Sequence, residues 1–379
     1  MKVIVLGCGL VGGPMAMDLA KDKNLEISVA DINSGVLAQI SKRVPVQTIQ
    51  TDLSETEKLG ELVAGFDYVI NAVPGFMGFK TLKALIEAKK NVVDIAFFPE
   101  DMFELHELAI ENDVCVISDI GVAPGMSNLL VGYADHLLDK TEKAVIYVGG
   151  LPKVRTWPYE YKAVFSPVDV IEEYTRPARY IENGKEVIKP ALSEPELLDF
   201  EGVGTLEAFN SDGLRSLATT IDAPNMIEKT LRFPGHIEIM RIFRETGFFN
   251  REEIEVNGAM VKPLDFTAKL LFPKWKLQEG EEDITIMKII VEGIKGNKRL
   301  RHTYDLLDSY DPKTKVHSMA RTTGYTATMA LRMLMKGLYK RKGVSAPEFI
   351  GRQPECVAFM LKGLKERGVV YKESIEEIL

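Results

Sequence analysis

Several things are scarce in this 379-residue chain, and each scarcity excludes a class of protein. There are three cysteines, Cys8, Cys115 and Cys356, far apart and without a C-x-x-C pair. That spacing provides neither a disulfide framework nor a zinc site, and it fits a reducing compartment. Basic charge is also short. The formal net charge is −8, and the densest basic stretch, 336–342, reads as the exposed end of a helix, where cations suit the helix dipole. A nucleic-acid partner is therefore not expected. No apolar run reaches membrane-spanning length. The opening MKVIVLGCGL has a brief apolar run that leads straight into glycines with no cleavage site, so it does not read as a signal peptide. A cytoplasmic protein with no membrane partner is the expectation. Low-complexity linkers and internal repeats are missing as well.

What is present is a strict alternation. Short runs rich in Val and Ile occur at 2–6, 26–31, 45–50, 67–72, 91–96 and 114–118, with helical patterns between them, as at 12–21, 54–64, 78–89 and 99–111. Strands that are apolar on both faces, joined by helices of this length, predict right-handed crossovers and a doubly wound parallel sheet of the Rossmann type. Past Gly125 the pattern changes. A strand is expected at 143–148 and hairpins at 180–187 and 254–261, where Asn183-Gly184 and Asn257-Gly258 supply the positive φ angles of a tight turn. Further strands are expected at 284–292, 299–308 and 315–320, and helices at 321–342 and 354–367. The whole reads as an α/β protein: a nucleotide-binding domain over 1–124, an α+β substrate domain with a mostly antiparallel sheet over 125–320, and C-terminal helices over 321–379 that pack back on the first domain.

Gly7-Cys8-Gly9-Leu10-Val11-Gly12 follows the first strand and opens the first helix. Gly7 permits the tight turn, Gly9 lets backbone N–H groups approach a pyrophosphate, and Gly12 lets helix and strand pack closely. Asp31, nineteen residues beyond Gly12 at the end of the second strand, is placed to chelate an adenosine ribose. A carboxylate there repels a 2′-phosphate, so NAD is the expected cofactor. Ligands of such sheets lie beyond the carboxyl ends of the strands. That rule makes Asp52-Leu53 a predicted adenine contact, Asn71-Ala72-Val73-Pro74 a nicotinamide-ribose contact, and Asp94-Ile95 and Asp119 neighbours of the reacting ring. Each of these carboxylates has a plainer alternative as a helix cap.

With these motifs in place, the chain resembles the saccharopine dehydrogenase family, and within it most closely the NAD-dependent L-lysine 6-dehydrogenases. The carriers are GCGLVG with Asp31, NAVP at 71–74, VVDIA at 92–96, SDIGVAPGMSN at 118–128, YVGGLP at 147–152, EYKAVFS at 160–166, EAFNSDGLR at 207–215, LRFPGH at 231–236 and ARTTGYTA at 320–327. Saccharopine-forming relatives usually have an Asp where this sequence has Ala123. The resemblance implies oxidative deamination of the ε-amine of L-lysine to 2-aminoadipate 6-semialdehyde, ammonia and NADH, carried out by a homodimer or higher homo-oligomer. It leaves open a sister reaction of the family, saccharopine-type or carboxyspermidine-type imine chemistry. A non-catalytic NAD sensor would share the glycine motif but lacks a second domain of this size.

Amine oxidation adds a requirement of its own. An ammonium with a reference pKa of about 10.4 must lose a proton before hydride can leave the adjacent carbon. His236, at a predicted helix start, is the first candidate base, with Asp119 and Asp94 as rivals and Tyr161 to orient either. Arg215 and Arg232 are candidates for the substrate α-carboxylate, because a guanidinium fork matches it bidentately. Gly149-Gly150 reads either as a close approach of backbone to substrate or as a hairpin or bulge.

Overall fold

The computed structural model describes residues 1–278 and 280–379. In chain order its strands are β1 (Lys2–Leu6), β2 (Glu26–Asp31), β3 (Gln47–Gln50), β4 (Tyr68–Asn71), β5 (Asn91–Asp94), β6 (Cys115–Ile117), β7 (Lys140–Pro152), β8 (Ala178–Glu182), β9 (Lys185–Lys189), β10 (Glu196–Phe200), β11 (Gly204–Asn210), β12 (Asn225–Arg232), β13 (Ile254–Val256), β14 (Ala259–Val261), β15 (Asp283–Lys295), β16 (Lys298–Ser309), β17 (Gly343–Ser345) and β18 (Tyr371–Ile378). The chain divides into two compact units. One is residues 1–137 with 319–371, the other 138–318 with 372–379.

The first unit is built on a parallel sheet of order β17-β6-β5-β4-β1-β2-β3. All six strands expected from the Val/Ile runs are present. A seventh, β17, lies beside β6 in parallel register, Val344 opposite Val116. Its three residues are too short to stand out as a strand in the sequence. Residues 3–6 of β1 and the middles of β4 and β5 are wholly buried, which is why these strands are continuous apolar runs. The helix Met126–Leu137 belongs to this unit although the sequence boundary was placed at 124. It packs on the helix Pro347–Gly351, where a Cβ on Gly132 would lie 2.5 Å from the Glu348 carbonyl oxygen.

A buried ion cluster fastens the C-terminal helices of this unit to the helix Gly12–Leu19. Asp18, on that helix, accepts hydrogen bonds from Arg332 Nη1 (2.6 Å), Thr328 Oγ1 (2.7 Å) and Arg367 Nε (2.9 Å). Arg332 Nε also reaches Asp22 at 2.8 Å. Burial alone would raise the Asp18 pKa, but the two guanidiniums outweigh it and hold the carboxyl below its ordinary value.

The second unit carries a mixed, mostly antiparallel sheet along β10-β11-β12-β7-β15-β16-β18, with β8 joined to β12 and β9 to β8. Its centre is parallel, because β12 runs alongside β7 from Asn225 opposite Lys143 to Thr230 opposite Val148. Helices Pro167–Thr175, His236–Thr246 and Pro263–Trp275 share a core with Tyr161, Phe209 and Trp275. Both Asn-Gly hairpins form, β8–β9 with Asn183 at φ 52° and β13–β14 with Asn257 at φ 52°.

Two expectations are corrected here. Residues 315–320 make only a bridge, Val316 to Asp311, before the helix Ser318–Met335 begins. The last residues do not end in helix, since β18 completes the sheet of the second unit from Lys372 onward. Among the described residues, no helix is long and apolar enough to cross a membrane, and no group of three or more His, Cys, Asp or Glu side chains gathers as a metal site.

Candidate active site

The glycine motif sits where β1 turns into the helix Gly12–Leu19. Gly7 has φ 98°, and a Cβ there would lie 2.5 Å from the Ala72 carbonyl oxygen. Only glycine combines that backbone with that contact. A Cβ on Gly12 would collide with the Gly7 carbonyl oxygen, so the second turn is closed as tightly as the first. Gly9 is different, with nothing within 4 Å of the position a Cβ would take. The loop is thus packed from behind and open in front, as a backbone cradle for a pyrophosphate must be. Leu10 is exposed beside it and Val11 leads into the helix. The Cys8 thiol, pushed up to about 11 by burial and by Asp31, is no nucleophile.

Asp31 closes β2 and accepts Cys8 N at 2.7 Å and Asn33 N at 2.8 Å. One carboxylate therefore fixes both the glycine loop and the turn into the next helix, which Asn33 caps by accepting from Gly35 N at 2.9 Å. Each oxygen keeps a lone pair for a sugar hydroxyl. The cradle, a carboxylate at the end of β2 and the open face fit a dinucleotide. Asp52 has a local task, accepting Ser54 N at 2.9 Å and Ser54 Oγ at 2.7 Å, and those bonds lower its pKa. Leu53 points into the core of the unit rather than toward a ligand.

At the carboxyl ends of the central strands a second constellation assembles. Asn71 ends β4, Asp94 ends β5, and Ser118 and Asp119 follow β6. Asp94, wholly buried, accepts Asn71 Nδ2 on one oxygen and Ser118 Oγ on the other, each at 2.7 Å. Burial lifts its carboxyl to about 7; the hydrogen bond from Ser118 works against that rise, and the neighbouring Asp119 charge adds to it. Asn71 Oδ1 is buried without a hydrogen-bond partner. Asp119 is itself buried, on left-handed backbone at φ 56°. Val73 is buried, Ala72 and Ile95 are half-buried and Pro74 is exposed, so this stretch forms the rim of the strand ends. The sequence had named Asn71, Asp94 and Asp119 separately. Ser118, which completes the set, was missed, because a serine at a strand end carries no signal without the neighbour it bonds.

In the second unit the residues singled out for chemistry are placed differently. His236 does begin its helix, but its exposure is zero. Nδ1 lies 2.6 Å from the Tyr159 carbonyl oxygen and Nε2 lies 2.9 Å from the Tyr174 hydroxyl. Burial, reinforced by the Arg232 charge, lowers its pKa to about 3. An imidazole so weakly basic, with both nitrogens engaged, is a poor general base near neutrality. The first candidate for the base is corrected on that ground.

Arg232 is 2% exposed and donates to the Tyr174 hydroxyl (3.1 Å), to the Leu231 carbonyl (2.9 Å) and to Glu173. Its guanidinium also stacks over the Tyr161 ring at 4.6 Å. It is built into the unit and is not offered to a ligand. Tyr161 is buried against Trp275, with a hydroxyl that lacks a hydrogen-bond partner. Gly149 is explained by packing, since a Cβ there would lie 2.7 Å from Leu231 Cβ. Gly149 and Gly150 both lie inside β7, so the hairpin reading of the pair is corrected. Arg215 is half-buried, at φ 52°, in the turn after Asp212.

An open backbone cradle at the head of a doubly wound parallel sheet, in a chain that continues into a second unit built on a mixed sheet, defines a dinucleotide-binding protein. The family is equally definite. Residues 3–117 match the saccharopine dehydrogenase NADP binding domain and residues 121–369 the saccharopine dehydrogenase C-terminal domain, and the chain belongs to the saccharopine dehydrogenase family. It is 25% identical to the mitochondrial alpha-aminoadipic semialdehyde synthase of Mus musculus over 98% of this chain and 47% of that one, so it spans about half the length of that relative. It is 22% identical to the saccharopine dehydrogenase [NADP(+), L-glutamate-forming] of Saccharomyces cerevisiae, over 98% of both chains. It is also 22% identical to the carboxyaminopropylagmatine dehydrogenase of Synechocystis, over 99% and 98%. The solved apo saccharopine dehydrogenase of Saccharomyces cerevisiae shares the fold, with a TM-score of 0.81 over 99% of both chains at 19% identity.

Proposed function

We propose that the chain passes a hydride from the ε-carbon of L-lysine to NAD and lets water hydrolyse the resulting imine, giving 2-aminoadipate 6-semialdehyde, ammonia and NADH. The observation that carries the choice of substrate is the state of the arginines in the second unit. Arg155 pairs with Glu160, Arg176 with Glu172, Arg179 bidentately with Asp212, Arg232 with Glu173 and Arg241 with Glu238. Five guanidiniums already matched to carboxylates of their own unit favour a substrate with a single carboxylate over the multiply charged adduct of an amino acid and a keto acid.

NAD is favoured over NADP by the residues after β2. Asp31 sets a negative charge where a 2′-phosphate would lie, the next side chain is the exposed Ile32, and no Lys or Arg occurs before Lys42. When bound, the nicotinamide supplies the hydride acceptor. The chain's own groups have the proton to manage, and we assign that to the Asp94–Asp119 pair at the strand ends. A carboxyl at about 7 exchanges a proton close to working pH, and Asn71 and Ser118 hold it in place.

A second reading is supported by the relatives, whose names describe saccharopine and carboxyaminopropylagmatine dehydrogenases. One assay separates the two. NAD with L-lysine alone, at mildly alkaline pH, should produce NADH and ammonia in step. Activity confined to saccharopine, or to lysine with 2-oxoglutarate and NADH, would replace the first reading with the second. Binding of NAD without turnover of any amine would overturn both.

A further inference from the structure

His236 is left without a role in proton transfer, yet four elements of the second unit converge on it. From β12 comes Arg232. From the helix Pro167–Thr175 come Tyr174 and, behind Arg232, Glu173. The segment after β7 supplies Tyr159 and Tyr161, and the helix Pro263–Trp275 supplies Trp275. The ring centroids of Tyr161, Tyr174 and Trp275 lie 5.0, 5.5 and 6.4 Å from the imidazole.

The chemistry of the two ends sets the direction of every bond between them. A backbone carbonyl only accepts, so His236 must carry its proton on Nδ1 to bond Tyr159. Burial and the Arg232 charge keep the ring uncharged, so Nε2 is a bare acceptor and the Tyr174 hydroxyl donates to it. A guanidinium only donates, so Arg232 Nε gives its proton to the Tyr174 oxygen. The result is a single directed chain, Arg232 to Tyr174 to His236 to the Tyr159 carbonyl, over 3.1, 2.9 and 2.6 Å.

The far end of this chain is a surface segment. Lys153 N bonds Glu282 O at 2.8 Å and Ala163 N bonds Trp275 O at 2.8 Å. Between those anchors run short-range ties, Arg155 to Glu160 at 2.9 Å and Glu160 N to Thr156 O at 2.9 Å, while the Arg155 guanidinium lies over the Phe233 ring at 4.9 Å and Lys162 pairs with Glu281 at 3.5 Å. Trp157, 84% exposed, and Val154, 73% exposed, project from the segment into solvent. The Tyr159 carbonyl is the point at which the buried network holds it.

We propose that His236 is a positioning residue, an uncharged imidazole locked as the Nδ1–H tautomer that ties the 153–161 segment to β12 through Tyr174 and Arg232. The same role accounts for Gly235, whose φ of 95° turns the chain so that a ring at the first helical position points inward. A histidine acting as a base would instead exchange its proton at every turnover and present one nitrogen to substrate.

The test needs no substrate. In the full chain labelled with ¹⁵N-histidine, one of the five rings should show a protonated Nδ1 and a bare Nε2, unchanged from about pH 5 to 8, where free histidine titrates. That ring's signals should vanish in His236→Asn. Should that variant fail to fold, Tyr174→Phe makes the assignment by shifting the Nε2 signal of the same ring. A His236 ring that titrates near 6.5, or that carries its proton on Nε2, would overturn the proposal. Trypsin provides the second readout. Cleavage after Arg155 should be about tenfold faster in Tyr174→Phe, the equivalent of one lost buried hydrogen bond, with cleavage outside residues 153–162 unchanged. Equal rates at Arg155 would show that the relay holds nothing.

Discussion

Replacing Asp18 by Asn tests how the nucleotide unit is held together. The Asp18 side chain has no exposure, and its partners Arg332 and Arg367 have side chains 8% and 15% exposed. Asn keeps the volume and removes the charge, which leaves two largely buried guanidiniums short of a counter-ion. Arg332 retains Asp22, at 37% exposure, and so is not stranded altogether. Breaking a buried pair on one side costs about 3–5 kcal/mol. For a unit of roughly 190 residues, that lowers the midpoint of thermal unfolding by about 10 °C. Circular dichroism and calorimetry at neutral pH would measure it, with the transition of the first unit resolved from that of the second.

The pH dependence follows from the same residue. Asp18 is held below the ordinary aspartate value of 3.8, so its contribution is complete above that value and is lost as pH falls through the lower folded one. The difference between wild type and variant should therefore shrink in acid. A variant within about 1 kcal/mol of wild type at neutral pH would refute the reasoning and make the cluster an incidental ion pair.

Other outcomes follow from the same geometry. Asp31→Ala should raise the KM for NAD about tenfold or more in steady-state assays and narrow the preference over NADP, because it removes both the ribose carboxylate and the bond to Cys8 N; an unchanged KM would remove Asp31 from the cofactor site. Gly12→Ala should abolish NAD binding, measured by calorimetric titration, because the new methyl drives the helix away from the Gly7 carbonyl. Asp94→Asn should stabilise the chain increasingly as pH rises from about 4 to 8, since the raised carboxyl favours folding below its unfolded pKa and loses that advantage on ionising near 7; parallel unfolding curves across that range would rule it out.

The parallel sheet and its cofactor loop were legible in the sequence because their causes are local. A strand buried on both faces must be apolar throughout, and a turn that a Cβ would block must be glycine. Asp31 needs only the length of one strand–helix–strand unit to be placed. Both hairpins could be read from Asn-Gly for the same reason. Strand-end position was enough to name Asn71, Asp94 and Asp119.

Tertiary structure alone decided the rest. β17 is a strand only because the edge of β6 is there to pair with it, and β18 joins a sheet whose other strands lie far back in the chain. Gly149 looked like room for a ligand and proved to be room for Leu231. His236 and Arg232 are the residue types that catalysis and carboxylate binding use, but residue type does not report whether a nitrogen is already bonded. Tyr159, Tyr174 and Glu173 had engaged theirs, and only the fold brings residues so distant in sequence within hydrogen-bonding distance of one another. Sequence fixes what a side chain is able to donate or accept; what remains available is set by the neighbours that burial brings to it.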